Sequence, residues 1–117
     1  MSANGPGFQV LFPADYDARS EFEAPMRGYL SDVIVEFANG RRYQVFFYDP
    51  VRLRQDLEAE SALGRAYLAE PGMIVLPEVT TEAIRQAVQG LVRDGFFEHL
   101  KPIESAAAAT AVAPGGT

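Results

Sequence analysis

The sequence predicts an α+β fold, a two-layer sandwich in which two helices cover one side of a mainly antiparallel sheet. Three observations favour this class. Two apolar runs flank the pair Asn39-Gly40, the strongest short-range signal for a β-hairpin. A continuous apolar run over 73–76 predicts a further strand. Two segments, about 50–63 and 81–94, have helical patterns, so the expected element order is β-β-α-β-α.

The hairpin is expected over 29–48, and its register follows from the need to bury one face. A two-residue loop at Asn39-Gly40 would place apolar and polar residues together on the same face. A three-residue loop, with Gly40 in the left-handed position of a G1 bulge, separates them. We therefore predict the three-residue loop. The core face then carries Val33, Val35, Phe37, Tyr43, Val45 and Phe47.

The first helix is expected to begin at Asp49-Pro50, because Asp is a favoured N-cap and Pro is favoured at the first helical position. Gly64 is a typical residue at the C-terminal end of a helix. The residues expected to face the core are Leu53, Leu57 and Leu63.

The second helix shows a clear amphipathic pattern. Thr80 or Thr81 is the expected N-cap and Gly95 the expected stop. Apolar residues recur at the spacing of a single buried stripe, which is typical of a helix that packs on a sheet. The stripe consists of Ile84, Ala87, Val88, Leu91 and Val92.

The two ends of the chain are expected to lie outside this domain, which we place at 28–104. Residues 1–27 are predicted to form a flexible N-terminal arm that contains one candidate strand, 8–12. The acidic stretch 15–25 has no regular period and is interpreted as a loop with at most one helical turn. The Ala- and Gly-rich residues 105–117 are predicted to be a disordered tail.

The composition limits the classes of partner. The 117 residues are 48% hydrophobic, which suits one domain with one core. Ten Lys and Arg against sixteen Asp and Glu give a net charge of −6. An acidic surface repels phosphate backbones and anionic lipid headgroups, so we expect neither nucleic acid nor membrane as a partner. A basic protein partner suits this charge.

The absence of cysteine excludes disulfides, thiolate nucleophiles and cysteine-based metal sites. The first seven residues lack the basic and long apolar regions of a secretory signal. No apolar run reaches the roughly 20 residues that a membrane-spanning helix needs. We therefore expect a cytoplasmic protein.

No motif for catalysis, cofactor binding or metal binding is present. His99 is the only histidine, and no serine lies in a Gly-x-Ser-x-Gly motif. The pair Asp15/Asp17 fails the calcium-loop pattern, because Arg19 occupies the next alternate position. No phosphate-binding loop occurs. We therefore expect no catalytic, cofactor or metal residues, and the sequence favours a protein that is not an enzyme.

The leading functional hypothesis is a protein-interaction module that binds a protein partner or a second copy of itself. The predicted register places Ile34 and Phe46 on the sheet face opposite the core, with Tyr48 following in the same alternation. Exposed apolar patches usually mark interfaces. Phe8 and Phe12 from the N-terminal arm complete the candidate surface. The structural alternatives are that the run 8–12 folds over this face, or that the sheet is buried on both sides.

The alternative hypothesis is a small-molecule or peptide-binding domain, or a weak enzyme. Its pocket would lie between the sheet and the loop over 65–77. The polar residues expected to line this pocket are Arg65, Tyr67, Glu70 and His99.

Overall fold

Residues 7–103, the part of the chain that the computed structural model describes, form a four-stranded sheet with three α-helices and a short 3₁₀ helix. The predicted tail over 105–117 lies outside the described residues. In chain order the elements are β1 (Phe8–Leu11), α1 (Ala18–Arg27), β2 (Tyr29–Phe37), β3 (Arg42–Tyr48), α2 (Pro50–Ala62), β4 (Met73–Val75), α3 (Thr81–Arg93) and the 3₁₀ helix (Phe96–His99).

The α+β class is confirmed, but the topology differs from the predicted one. The strands lie in the order β1-β2-β3-β4, and the sheet is mixed. β1 and β3 both run antiparallel to β2, whereas β4 runs parallel to β3. The expected order β-β-α-β-α is therefore wrong, because β1 and α1 precede the hairpin. β4 runs parallel to β3 because α2 returns the chain to the end of the sheet at which β3 begins.

The helix α1 overlaps the stretch 15–25, for which the sequence predicts a loop with at most one helical turn. Asp17 caps it by accepting a hydrogen bond from the backbone N–H three residues on. Glu23 forms ion pairs with Arg19 and Arg27, each four residues away. Of the residues in α1, only Ala24 is buried. A helix that buries one small side chain has no long apolar stripe, so local capping and charge spacing were its only signals.

The predicted hairpin register is confirmed. Val33 pairs with Val45, and Val35 pairs with Tyr43. The Phe37 N–H donates to the carbonyl of Arg41 at 2.8 Å, which closes a loop over residues 38–40. Gly40 has a φ of 90°, the left-handed conformation that the G1 bulge requires.

A second bulge, absent from the sequence-based interpretation, interrupts β2. Leu30 pairs with Phe47 but Val33 pairs with Val45, so β2 contains one extra residue between these pairs. Asp32 lies in this bulge with a φ of 63°, the left-handed region that non-glycine residues seldom adopt. The extra residue changes the face on which the preceding side chains lie. Leu30 consequently packs against the core.

One face of the sheet, here called the core face, carries the hydrophobic core. The helices α1 and α3 and the 3₁₀ helix supply its outer layer. Phe8 and Phe12 pack against the same core. The buried cluster consists of Val10, Ala24, Val33, Val35, Tyr43, Val45, Phe47, Leu76, Val79, Ile84, Val88 and Phe97.

The helix α2 does not join this core, contrary to the expectation that both predicted helices cover one face. None of its residues is buried; Leu57 is 42% exposed, and Leu63, directly after the helix, is 71% exposed. Its polar side chains instead contact the opposite face, here called the second face. The Arg52 guanidinium lies 4.9 Å from the centre of the Tyr29 ring. The large apolar residues of α2 are only Val51, Leu53 and Leu57, spaced two and four apart, so they do not form a long stripe.

Candidate binding groove on the second face

An open groove of about 590 Å³ lies on the second face of the sheet. This volume lies within the range of roughly 300–1,000 Å³ that is common for ligand-binding sites. β2 and β3 form its floor, and two segments that are distant in sequence form its walls. Its lining consists of Tyr29, Ser31, Asp32, Gln44, Phe46, Glu70, Pro71, Leu100, Lys101, Pro102 and Ile103.

The floor of the groove contains an aromatic cluster of Tyr29, Phe46 and Tyr48. The ring of Tyr29 lies 6.4 Å from that of Phe46 and 4.9 Å from that of Tyr48, and the last two are 5.8 Å apart. Tyr48 is only 6% exposed, whereas Tyr29 and Phe46 are half-buried and line the groove. The rings of Tyr29 and Phe46 therefore present apolar surface to the groove, and their contacts with each other and with Tyr48 restrict their orientation.

The buried Tyr48 links this cluster to α2. Burial raises the pKa of the Tyr48 hydroxyl above its ordinary value, and a hydrogen bond to the Asp56 carboxylate raises it further. Asp56 also forms an ion pair with Arg52 at 3.1 Å. The polar side of α2 thus contacts Tyr48, the member of the aromatic cluster that lies outside the groove.

The first wall is the turn that carries Glu70 and Pro71. The next residue, Gly72, fixes this turn against β3, because its carbonyl accepts a hydrogen bond from the Phe46 N–H at 3.0 Å. A Cβ at Gly72 would lie 2.5 Å from the carbonyl oxygen of Gln44. Only glycine permits this approach, which sets the wall directly beside the floor.

The second wall is the segment over 100–103. The Ile103 N–H donates to the carbonyl of Arg42 at 2.6 Å, which forms an antiparallel bridge to β3. Leu100 packs against the core at the other end of the segment. Lys101 and Pro102 are therefore held between two anchored positions.

The polar part of the groove is built around the bulge in β2. The Gln44 side-chain amide donates to one carboxylate oxygen of Asp32 at 2.8 Å. The hydroxyl of Ser31 lies 3.4 Å from the other oxygen. Asp32, Glu70 and Lys101 all line the groove, and within residues 7–103 none of them forms an ion pair. The groove therefore offers charged groups to a ligand.

The structure brings together part of the predicted interaction surface. Phe46 lines the groove, Tyr48 lies beside it, and Ile34 is half-buried on the same face, directly opposite Gln44. Phe8 and Phe12 lie elsewhere, because β1 pairs edge to edge with β2 and both rings pack on the core side. The run 8–12 does not fold over the second face.

The residues of the alternative pocket are dispersed. Glu70 lines the groove. Arg65 forms an ion pair with Glu60 at 2.8 Å, and Tyr67 is 71% exposed. His99 is exposed on the 3₁₀ helix. Of the four residues, only Glu70 therefore contributes to the groove.

Sequence reasoning missed the polar half of the groove. The signal for Ser31-Asp32 was present, since two polar residues interrupt the apolar alternation of β2. Gln44 alternates with Phe46 along β3 and so shares its face, but its hydrogen bond to Asp32 depends on the bulge in β2. The position of the segment over 100–103 has no local signal, because it depends on the bridge of Ile103 to Arg42 and on the packing of Leu100 against the core.

The described residues contain neither a cluster of metal-ligating side chains nor a membrane-spanning helix. Within 7–103, no group of three or more His, Cys, Asp or Glu side chains is arranged to hold a metal ion. Within the same residues, no helix is long and apolar enough to cross a bilayer. The groove itself combines aromatic surface, one amide and three charged groups, which are the kinds of contact found in ligand-binding sites.

Comparisons of the chain with protein-family models, curated proteins and solved structures found no match.

Proposed function

We propose that this domain is a non-enzymatic protein-interaction module, and that the groove on its second face binds an extended segment of a partner protein. The observation that supports this most directly is the pair of half-buried rings, Tyr29 and Phe46, on the floor of an open groove. Aromatic side chains at the centre of a concave site supply most of the binding energy in many protein interfaces.

The rigidity of the groove supports the same function. Its floor is a paired β-ribbon, and both walls are hydrogen-bonded to β3, through Gly72 and Ile103. A preformed site loses little conformational entropy when a ligand binds. The mixture of apolar and polar residues in the lining of the groove suits a peptide better than a purely apolar ligand.

The test is a selection from a phage-displayed random peptide library, with the full chain as bait, followed by affinity measurements on the enriched peptides. We expect Phe46→Ser to weaken binding by about tenfold or more, since a truncated aromatic anchor typically costs over 1.4 kcal/mol. The matched control is Phe22→Ser, which removes an exposed ring from α1 on the other side of the sheet. Circular dichroism verifies that both variants are folded.

Two outcomes would contradict the proposal: a library that yields no enriched sequence, or enriched peptides that bind both variants as they bind the original chain. Sedimentation of the free chain tests a second copy as the occupant. If Phe46→Ser dissociates a dimer and Phe22→Ser does not, the groove is occupied by a second copy of this chain and not by a segment of another protein.

A second candidate function, favoured by the volume of the groove and by Glu70 in its lining, is the binding of a small molecule. A thermal-shift screen of metabolites would show stabilisation that Phe46→Ser removes. Stabilisation that persists in this variant would place the ligand elsewhere.

A further inference from the structure

We infer that the segment bound in the groove carries a basic side chain, Arg or Lys, which pairs with the carboxylate of Asp32. This inference rests on the proposed function, because it specifies the chemistry of the partner at the same site. Three features of the groove support it: the position of Asp32, the balance of charge, and the adjacent aromatic ring.

Asp32 is held in a defined orientation at the groove. The bulge fixes its backbone at a φ of 63°, and the amide of Gln44 binds one carboxylate oxygen at 2.8 Å. A carboxylate has about four positions at which it accepts hydrogen bonds, and the contacts from Gln44 and Ser31 fill at most two. The remaining positions suit the N–H groups of a guanidinium or an ammonium group, which form the stronger, charge-assisted bonds.

The charge of the groove favours a cation. Asp32 and Glu70 are acidic, Lys101 is basic, and none of the three forms an ion pair with another described residue. The groove therefore has a net negative charge on a chain whose own net charge is −6. This field attracts a basic segment and repels an acidic one.

The aromatic floor provides a surface for the rest of such a side chain. Arg52 of α2 already lies over the ring of Tyr29, whereas Phe46 lines the groove beside Gln44. The methylene stem of an Arg or Lys can pack on an apolar ring while its charged end reaches a carboxylate. Phe46 and Asp32 together thus form an apolar and an anionic subsite for one basic side chain.

The peptides from the library selection test this inference. We expect the enriched sequences to share an Arg or Lys at one position beside an apolar residue. Replacing that residue in a synthetic peptide with Gln should weaken binding about tenfold, or 1.4 kcal/mol. Asp32→Asn should remove this difference, since Asn tolerates the left-handed conformation and can still accept from Gln44. The control Asp94→Asn, at the C-terminal cap of α3, should retain it.

The outcomes separate the two proposals. Enriched peptides without a shared basic residue, bound in a Phe46-dependent manner, would overturn the inference and leave the proposed function intact. The same holds if Asp32→Asn preserves the preference for the basic peptide. A selection that enriches nothing would overturn both. A preference for the basic peptide that weakens with added salt in the original chain, and is absent in Asp32→Asn, would support the ion pair.

Discussion

Gly28 lies directly against the carboxylate of Asp49, so that a Cβ at Gly28 would be 2.6 Å from both carboxylate oxygens. Gly28 ends α1 in the left-handed conformation, with a φ of 68°, and its carbonyl accepts a hydrogen bond from the Asp49 N–H at 2.9 Å. Asp49 in turn caps α2 by accepting from the Arg52 N–H at 2.8 Å. The end of α1 and the start of α2 are thus joined at one glycine.

This contact predicts that Gly28→Ala is strongly destabilising. The left-handed conformation costs an L-residue about 1–2 kcal/mol. Displacement of the Asp49 cap adds about 1 kcal/mol, so the free energy of unfolding should fall by roughly 2–3 kcal/mol in chemical denaturation. The control is Gly40→Ala, with a φ of 90° and no atom within 4 Å of its Cβ, which should show the backbone cost alone. Equal losses in the two variants would show that the contact with Asp49 contributes nothing.

The buried hydroxyl of Tyr48 predicts a loss of stability at high pH. Its pKa is raised in the folded state, by burial first and by Asp56 second, so the unfolded chain releases this proton at lower pH than the folded one. The contribution to stability is complete below about pH 10, the ordinary tyrosine value, and falls as the pH rises above it. The free energy of unfolding, measured by chemical denaturation across this pH range, should fall less steeply with pH for Tyr48→Phe than for the original chain. An unchanged slope in this variant would assign the alkaline loss to other groups.

The difference between α3 and α2 predicts unequal responses to truncation. Ile84 of α3 is fully buried, and Ile84→Ala should lower the free energy of unfolding by about 2–5 kcal/mol. Leu57 of α2 is 42% exposed, so Leu57→Ala should cost under about 1 kcal/mol. Hydrogen exchange should also be faster in α2 than in α3, because α2 has no buried residue. Similar losses in the free energy of unfolding for the two variants would mean that Leu57 packs as a core residue, in contradiction of this prediction.

The strained bulge predicts that Asp32→Gly stabilises the protein slightly, by up to about 1 kcal/mol, because glycine adopts a φ of 63° without steric cost. The measurement is thermal unfolding, with Ser31→Gly as the control. Ser31 does not adopt the left-handed conformation, so glycine relieves no strain there. We expect Ser31→Gly to be less stable than the original chain. A destabilised Asp32→Gly would mean that the contacts of the carboxylate outweigh the backbone strain.

The parts of the fold that were predictable from sequence are those set by neighbouring residues. The register of β2 and β3 followed from the alternation around Asn39-Gly40, because a one-residue shift would expose Val33 and Val45. The helix α3 followed from its apolar stripe and from Thr80, whose hydroxyl accepts from the Ala83 N–H at 3.0 Å. These signals act within short stretches of chain.

The remaining features depend on how distant segments meet. The direction of β4 is determined by the path of α2, which has no apolar stripe to indicate the face on which it lies. The groove joins Phe46 of β3 with the turn at Glu70 and with the segment over 100–103. Those contacts are made through backbone hydrogen bonds of Gly72 and Ile103, which side-chain patterns do not encode. Phe46 was therefore predictable on the floor of the groove, whereas Tyr29, which the bulge in β2 moves to this face, and the two walls were not.

The parallel pairing of β3 with β4 also sets the order in which the groove is assembled during folding. The hairpin closes a loop of three residues, whereas β4 reaches β3 only after the chain has passed through the whole of α2. Short-range pairing forms faster than pairing that closes a long loop, and the hairpin also leaves the ribosome first. The edge of β3 that β4 covers is therefore expected to pair after the hairpin has formed. A variant that slows the docking of β4 should leave this edge of β3 unpaired for longer during folding, and an unpaired strand edge favours aggregation.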